Sequence, residues 1–224
     1  MSKKEVKQLP KIRVRQHVNP LSKKYLTPIT PPHWEKVYNQ HKQPLHLDIG
    51  SARGEFLLEM ATLQPDWNFL GLEIREPLVE KAQEAVAELG LSNVHFIFCN
   101  VDNSLVPILD SLPQGVLKRV TIQFPDPWFK KRHAKRRVVK PELVNTLAKY
   151  LKEGGETLIQ SDVETVAKEM RDRFTENPAF QRQGTEWLAT NPLPVPTERE
   201  TYTISCGQPI YRALFSRNRR GVGA

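Results

Sequence analysis

Residues 44–56 read PLHLDIGSARGEF, and this stretch decides the fold. Leu45, Leu47 and Ile49 alternate along the chain, the period of a strand. Gly50 and Gly54 bracket a turn, and EFLLEMATL (55–63) continues as a helix. A glycine directly after a strand lets the backbone turn sharply and come close to a ligand. In open α/β sheets ligands sit beyond the carboxyl ends of the strands, so this first turn is where a site is expected.

The same unit recurs downstream. WNFLGLEI (67–74), NVHFIFCN (93–100), KRVTIQFP (118–125) and ETLIQSD (156–162) are apolar runs of strand length. REPLVEKAQEAVAELG (75–90) places Leu78, Ala82, Ala85, Val86 and Leu89 at helical spacing, with Pro77 suited to a first turn. PELVNTLAKYLKEGG (141–155) and VETVAKEMRDRF (163–174) predict further helices, and shorter ones are expected near Trp34 and over Leu105 to Leu109. ETYTISCG (200–207) and PIYRALFSR (209–217) predict two strands joined by a glycine-containing turn. Alternating strands and helices closed by a hairpin define a doubly wound α/β fold, mostly parallel, with an antiparallel element at the end. PLPVPTERE (192–200) is a loop, because too little chain follows it to fold alone. The expected division is a basic flexible arm over residues 1–30 and one domain over 31–224.

The chain has 224 residues, 39% of them hydrophobic and 26% charged, which fits a globular protein with one substantial core. No apolar run reaches the ~18 residues of a membrane span. The basic N-terminus lacks the apolar segment of a secretory signal. Cys99 and Cys206 alone make no disulfide framework, which fits a reducing, cytoplasmic setting. Neither they nor the six histidines show metal-ligand spacing. The net charge of +8 is localised: residues 1–30 carry +7, 124–137 carry +5 and 212–220 carry +4, so the remainder is acidic. Localised positive charge suits a polyanion.

The turn after the first strand is not a dinucleotide fingerprint, since Ala52 holds its middle position. Asp48 precedes it from within the strand, where it would repel a pyrophosphate and suit a cationic ammonium or sulfonium group. Glu73 ends the second strand, where a carboxylate grips a ribose diol. Asn100 and Asp102 follow the third, within reach of an adenine. Asp48, Gly50, Gly54, Glu73, Asn100 and Asp102 together point to S-adenosylmethionine, with a nicotinamide cofactor as the competing reading.

The fourth strand ends in FPDPWFKKRHAKRR (124–137). Pro125 and Pro127 restrict the backbone on both sides of Asp126. Trp128 is either a surface on which a base stacks or a core residue. Lys130, Lys131, Arg132, Lys135, Arg136 and Arg137 could hold phosphates. The motif resembles the signature of the bacterial-type tRNA (guanine-N7-)-methyltransferase family. The likeness extends to the LDIG turn, GLEIR, the SD after the fifth strand and T-x-x-E at Thr197 to Glu200, over about residues 45–216.

That resemblance implies a class I S-adenosylmethionine-dependent methyltransferase fold, a Rossmann-like seven-stranded sheet. It implies methyl transfer to N7 of a guanine in tRNA, usually position 46 of the variable loop. By matching position, Asp126 is the residue at the reaction centre, and Lys130, Asp162, Thr197 and Glu200 join it in contacting the substrate. Asp162 doubles as a candidate helix cap. Many family members have glycine where Ala52 stands, a change that is tolerable if the position does not need positive φ. The expected partner is tRNA, without membrane or metal, for a monomer or a homodimer. The competing readings are an exocyclic-amine methyltransferase and a non-catalytic RNA-binding scaffold.

Overall fold

The computed structural model describes residues 18–218. Residues 1–17 of the arm expected over 1–30, and the basic residues 219 and 220, lie outside them. Seven strands, β1 (Leu45–Ile49), β2 (Asn68–Glu73), β3 (Val94–Phe98), β4 (Leu117–Gln123), β5 (Glu156–Ser161), β6 (Phe180–Arg182) and β7 (Tyr211–Arg217), form one sheet in the order β3-β2-β1-β4-β5-β7-β6. The first five are parallel, and β7 runs antiparallel to both β5 and β6. The order reverses at β1, so the carboxyl ends of β1 and β4 flank the switch point where α/β ligands bind.

Helices α1 (Trp34–Val37), α2 (Glu55–Leu63), α3 (Glu76–Leu89), α4 (Val101–Ser111), α5 (Pro141–Tyr150), α6 (Glu164–Thr175) and α7 (Glu198–Ser205) cover the sheet. Two apolar clusters divide it. Leu45, Leu47 and Ile49 pack with Leu105, Leu143, Val166 and Met170 on one face. Phe69 and Phe96 pack with Phe56, Leu57, Val79 and Ala82 on the other. All five residues of β1 and all six of β2 are buried, as a central parallel strand covered on both faces requires.

The C-terminal end corrects the sequence reading. Residues 198–205 form α7 rather than a strand, and the antiparallel partner of β7 is the three-residue β6. The cause is a cap: the Thr197 hydroxyl accepts from the Glu200 amide at 3.1 Å, and Gly207 takes φ 65° just past the helix. Asp162 does not cap α6, whose N-cap is Val163 with no side-chain bond.

Residues 18–30 lie against the domain. The Asn100 amide donates to the carbonyls of Pro20 (3.0 Å) and Tyr25 (3.2 Å), and Asn103 donates to Tyr25 O at 2.7 Å. Among the described residues no helix is long and apolar enough to cross a membrane.

Candidate active site

A cleft opens at the carboxyl ends of β1, β2, β3 and β4. Gly50, Glu73, Arg75, Asn100, Asp102, Gln123, Asp126 and Trp128 line it, with Val18 and Pro20 from the N-terminal segment. Five predicted residues, Gly50, Glu73, Asn100, Asp102 and Asp126, therefore line the same cleft, while Asp48 and Gly54 do not. Gly50 has φ 90°, and a Cβ built there would meet nothing within 4 Å. That open approach is the cradle a cofactor needs beside a backbone turn. Gly54 serves differently: with φ 79°, a Cβ would stand 2.5 Å from the Phe96 ring, so its role is packing. Ala52 has φ 49°, so the condition under which alanine would replace glycine freely is not met, and the residue holds a left-handed conformation.

Asp48 stands behind the turn, 4% exposed. Its Oδ1 accepts from the Thr121 hydroxyl at 2.5 Å and lies 3.5 Å from Gln123 Nε2. Burial pushes its pKa up to about 6; the bonds from Thr121 and Gln123 oppose that, and the charge of Glu73 adds to it. Glu73 is saturated. Its Oε1 accepts from the Arg75 amide (3.0 Å) and Nε (2.9 Å), and its Oε2 from Ala52 N (2.9 Å) and Arg75 Nη2 (3.0 Å). Burial of the Arg75 guanidinium opposes its charge, but Glu73, with Asp126 behind it, raises its pKa above the ordinary arginine value. Asn100 caps α4, its Oδ1 accepting from Asp102 N at 3.1 Å, and the Asp102 carboxylate takes Lys140 Nζ at 2.5 Å. Cys99 also lines the cleft, but burial and Glu73 push its thiol up to about 12, which rules it out as a thiolate nucleophile near neutrality.

The proline-flanked acid is bracketed by two aromatics in the left-handed region, Phe124 (φ 49°) and Trp128 (φ 45°). Such residues cost on the order of 1–3 kcal/mol each and persist where the surroundings hold them. The hold is visible. Arg137 Nε donates to Pro127 O at 2.9 Å, its Nη2 reaches Trp128 O at 3.4 Å, and its Nη1 pairs with Glu169. Trp128 is half-buried, outside both apolar clusters, with Arg136 over its ring at 4.9 Å and His133 edge-on at 5.7 Å. Arg136 and Arg137 thus shape the loop. Lys130, Lys131, Arg132 and Lys135 are exposed on or beside a 3-10 turn over Lys131–Arg136, and Phe129 is 73% exposed.

The other predicted substrate residues lie outside this cleft. Asp162 receives Arg199 Nε at 3.0 Å, tying the end of β5 to α7. Glu200 is buried: Arg212 Nη2 (2.7 Å), Gln160 Nε2 (3.0 Å) and Asn191 Nδ2 (2.8 Å) all donate to it. Thr197 caps α7. Sequence reasoning did not single out Arg75, Thr121, Gln123, Gln160 or Arg212. The available signal was the second face of each strand, where His46 and Asp48, Thr121 and Gln123 repeat every two residues. Among the described residues no group of His, Cys, Asp and Glu could hold a metal ion.

A Rossmann-like seven-stranded sheet with an acid behind the first turn and a second acid ending β2 defines a class I S-adenosylmethionine-dependent methyltransferase. Solved structures agree on the fold: an rRNA methylase from Streptococcus thermophilus (TM-score 0.52, 12% identity, covering 80% of this chain and 89% of that one) and a precorrin-6y C5,15-methyltransferase from Geobacter metallireducens (TM-score 0.52, 14%, 82% and 85%). The family model described as "Putative methyltransferase" matches residues 42–213. The curated tRNA (guanine-N(7)-)-methyltransferase of Trichormus variabilis is 65% identical over 210 residues, 93% of this chain and 98% of that protein. That of Microcystis aeruginosa is 58% identical, covering 92% and 99%. The chain belongs to the tRNA (guanine-N7-)-methyltransferase family.

Proposed function

We propose that this enzyme methylates N7 of a guanine in the variable loop of tRNA, at position 46, and that Asp126 meets the reacting base. The observation that carries this reading is that Asp126 lines the same cleft as Gly50 and Glu73, at the root of the exposed Lys130–Arg132 run. S-adenosylmethionine, when bound, supplies an electrophilic methyl on a sulfonium. In this reading Asp48 would face the ammonium end, Glu73 would exchange its bonds from the Arg75 side chain for the ribose hydroxyls, and Asn100 and Asp102 would lie beside the adenine. N7 has an in-plane lone pair and no proton, so the protein has nothing to deprotonate and its work is alignment. The methyl would pass to the N7 lone pair, the donor would keep the electron pair of the bond released, and the guanine would become positively charged. A carboxylate at the base edge stabilises that charge and accepts from N1–H and the exocyclic amine, which separates guanine from adenine.

Trp128, standing at the cleft between Arg136 and His133, serves as a wall for the base. Lys130, Lys131, Arg132 and Lys135 hold phosphates. Asp162, Thr197 and Glu200 shape the substrate side through α7. A tRNA substrate places the enzyme in the cytoplasm.

Asp126→Asn keeps the shape and removes the charge. We expect its turnover at saturating tRNA to fall about 100- to 1,000-fold, the size of a lost electrostatic contact at a reaction centre. Turnover equal to the unaltered enzyme, measured by single-turnover methyl transfer, contradicts the electrostatic role.

A further inference from the structure

A row of buried polar side chains crosses the sheet under the cleft on the α2 and α7 face. The ladder registers Asp48 with Thr121, Gln123 with Gln160, and Gln160 with Arg212, so neighbouring strands put these groups side by side. Thr121 and Gln160 are fully buried. Gln160 Nε2 donates to Gln123 Oε1 at 2.8 Å and to Glu200, while its Oε1 accepts from Arg212 Nε at 2.9 Å. With its oxygen pinned, Gln123 has only its NH2 to turn toward Asp48. On the other side, His46 Nε2 lies 3.0 Å from the Thr121 hydroxyl oxygen.

The proton count fixes the direction of this chain. A threonine hydroxyl has one proton, and here it goes to Asp48. Thr121 must then accept from His46, which carries its proton on Nε2, and His46 Nδ1 has no hydrogen-bond partner. Burial, helped by the charge of Arg119, holds the His46 pKa well below its ordinary value, so the ring stays a neutral donor. Donors therefore converge on the Asp48 carboxylate from β1 through Thr121 and from β5 through Gln123.

We propose that Thr121 is a positioning residue for the methyl donor: its hydroxyl, oriented by His46, holds the Asp48 carboxylate ionised and aimed at the ammonium end of the cofactor. This rests on the reading of Asp48 as a cofactor residue. The groups that act on Asp48 are Glu73 from β2, which opposes its charge and is itself paired with Arg75, and the neutral donors Thr121 and Gln123 from β4. His46 and Arg119 act one step further out.

The test is calorimetric titration of S-adenosylmethionine into the unaltered protein, Asp48→Asn, Thr121→Val and Thr121→Ser between pH 5 and pH 8. Thr121→Val keeps the shape and loses the hydroxyl. It should weaken binding about tenfold or more at pH 7, as expected for a lost hydrogen bond to a charged group. It should also move upward the pH below which affinity falls, and Thr121→Ser should restore both. A merely structural threonine would leave that pH midpoint in place, so an unshifted midpoint in Thr121→Val overturns the inference. Should Thr121→Val fail to melt cooperatively, Gln123→Met takes its place, with a smaller upward shift supporting the relay and none overturning it. If Asp48→Asn binds like the unaltered protein, the inference falls together with the reading of Asp48, and the control separates that failure from a fault in Thr121 alone.

Discussion

At the scale of single residues the site holds charge where burial opposes it. Asp48 is the clearest case. Its folded pKa of about 6 lies above the unfolded value near 3.8, so the native state prefers the protonated form. The cost is absent below about pH 4, grows as pH rises through the interval, and is complete above about pH 6. A rise of that size corresponds to about 3 kcal/mol. Asp48→Asn should therefore melt higher than the unaltered protein at pH 8, with the gap closing toward pH 4, while its affinity for S-adenosylmethionine falls. Thermal unfolding at the two pH values measures this, and a lower melting point at pH 8 contradicts it. Ala52, Phe124 and Trp128 carry the same theme into the backbone, since all three hold positive φ beside the cleft. None of these angles was legible in the sequence, because alanine and the aromatics give no local sign of a left-handed turn that tertiary contacts impose. Asp126 was legible, since two prolines mark it. That Arg137 clamps its loop was not, because a basic run offers no sign of which arginine faces inward.

At the scale of elements the sequence pattern served where helices and strands are long and periodic. The five parallel strands and helices α2, α3, α5 and α6 follow the apolar spacing read along the chain. The failure at residues 200–207 has a physical reason. TYTI is rich in residues favoured in strands, and propensity outweighed the T-x-x-E pattern that also marks a helix start. The cap decides the matter in the fold. Thr197→Ala should cost about 1 kcal/mol of stability. Since α7 brings Glu200 to Arg212 and Arg199 to Asp162, the change should also raise the KM for tRNA. Denaturant unfolding with steady-state kinetics tests both, and an unchanged midpoint would mean that the buried Glu200–Arg212 pair holds the helix without its cap. β6 escaped notice because three residues are too few for periodicity to register.

At the scale of the whole molecule, one edge of the sheet gathers the residues that line the cleft. The turn after β1, the acid ending β2, the cap of α4 and the loop after β4 converge because parallel strands bring all their carboxyl ends to the same side. The basic loop leaves that same edge, which is why Asp126 and Trp128, far along the chain from Gly50, share its cleft. The fold was therefore readable from the alternation of strands and helices, and the candidate cofactor residues Glu73, Asn100 and Asp102 do stand at or just after the ends of their strands. The substrate side was readable only by resemblance, because the T-x-x-E pattern of Thr197 and Glu200 marks a helix start and carries no chemistry of its own. The most direct test of the account is methyl transfer from labelled S-adenosylmethionine to unmodified tRNA, followed by chain scission selective for N7-methylguanine. The expected result is incorporation at one guanine, a single scission in the variable loop at position 46, and both appearing about 100- to 1,000-fold more slowly in Asp126→Asn. Incorporation without any scission, the mark of methylation at another atom, would contradict it, and so would no incorporation at all.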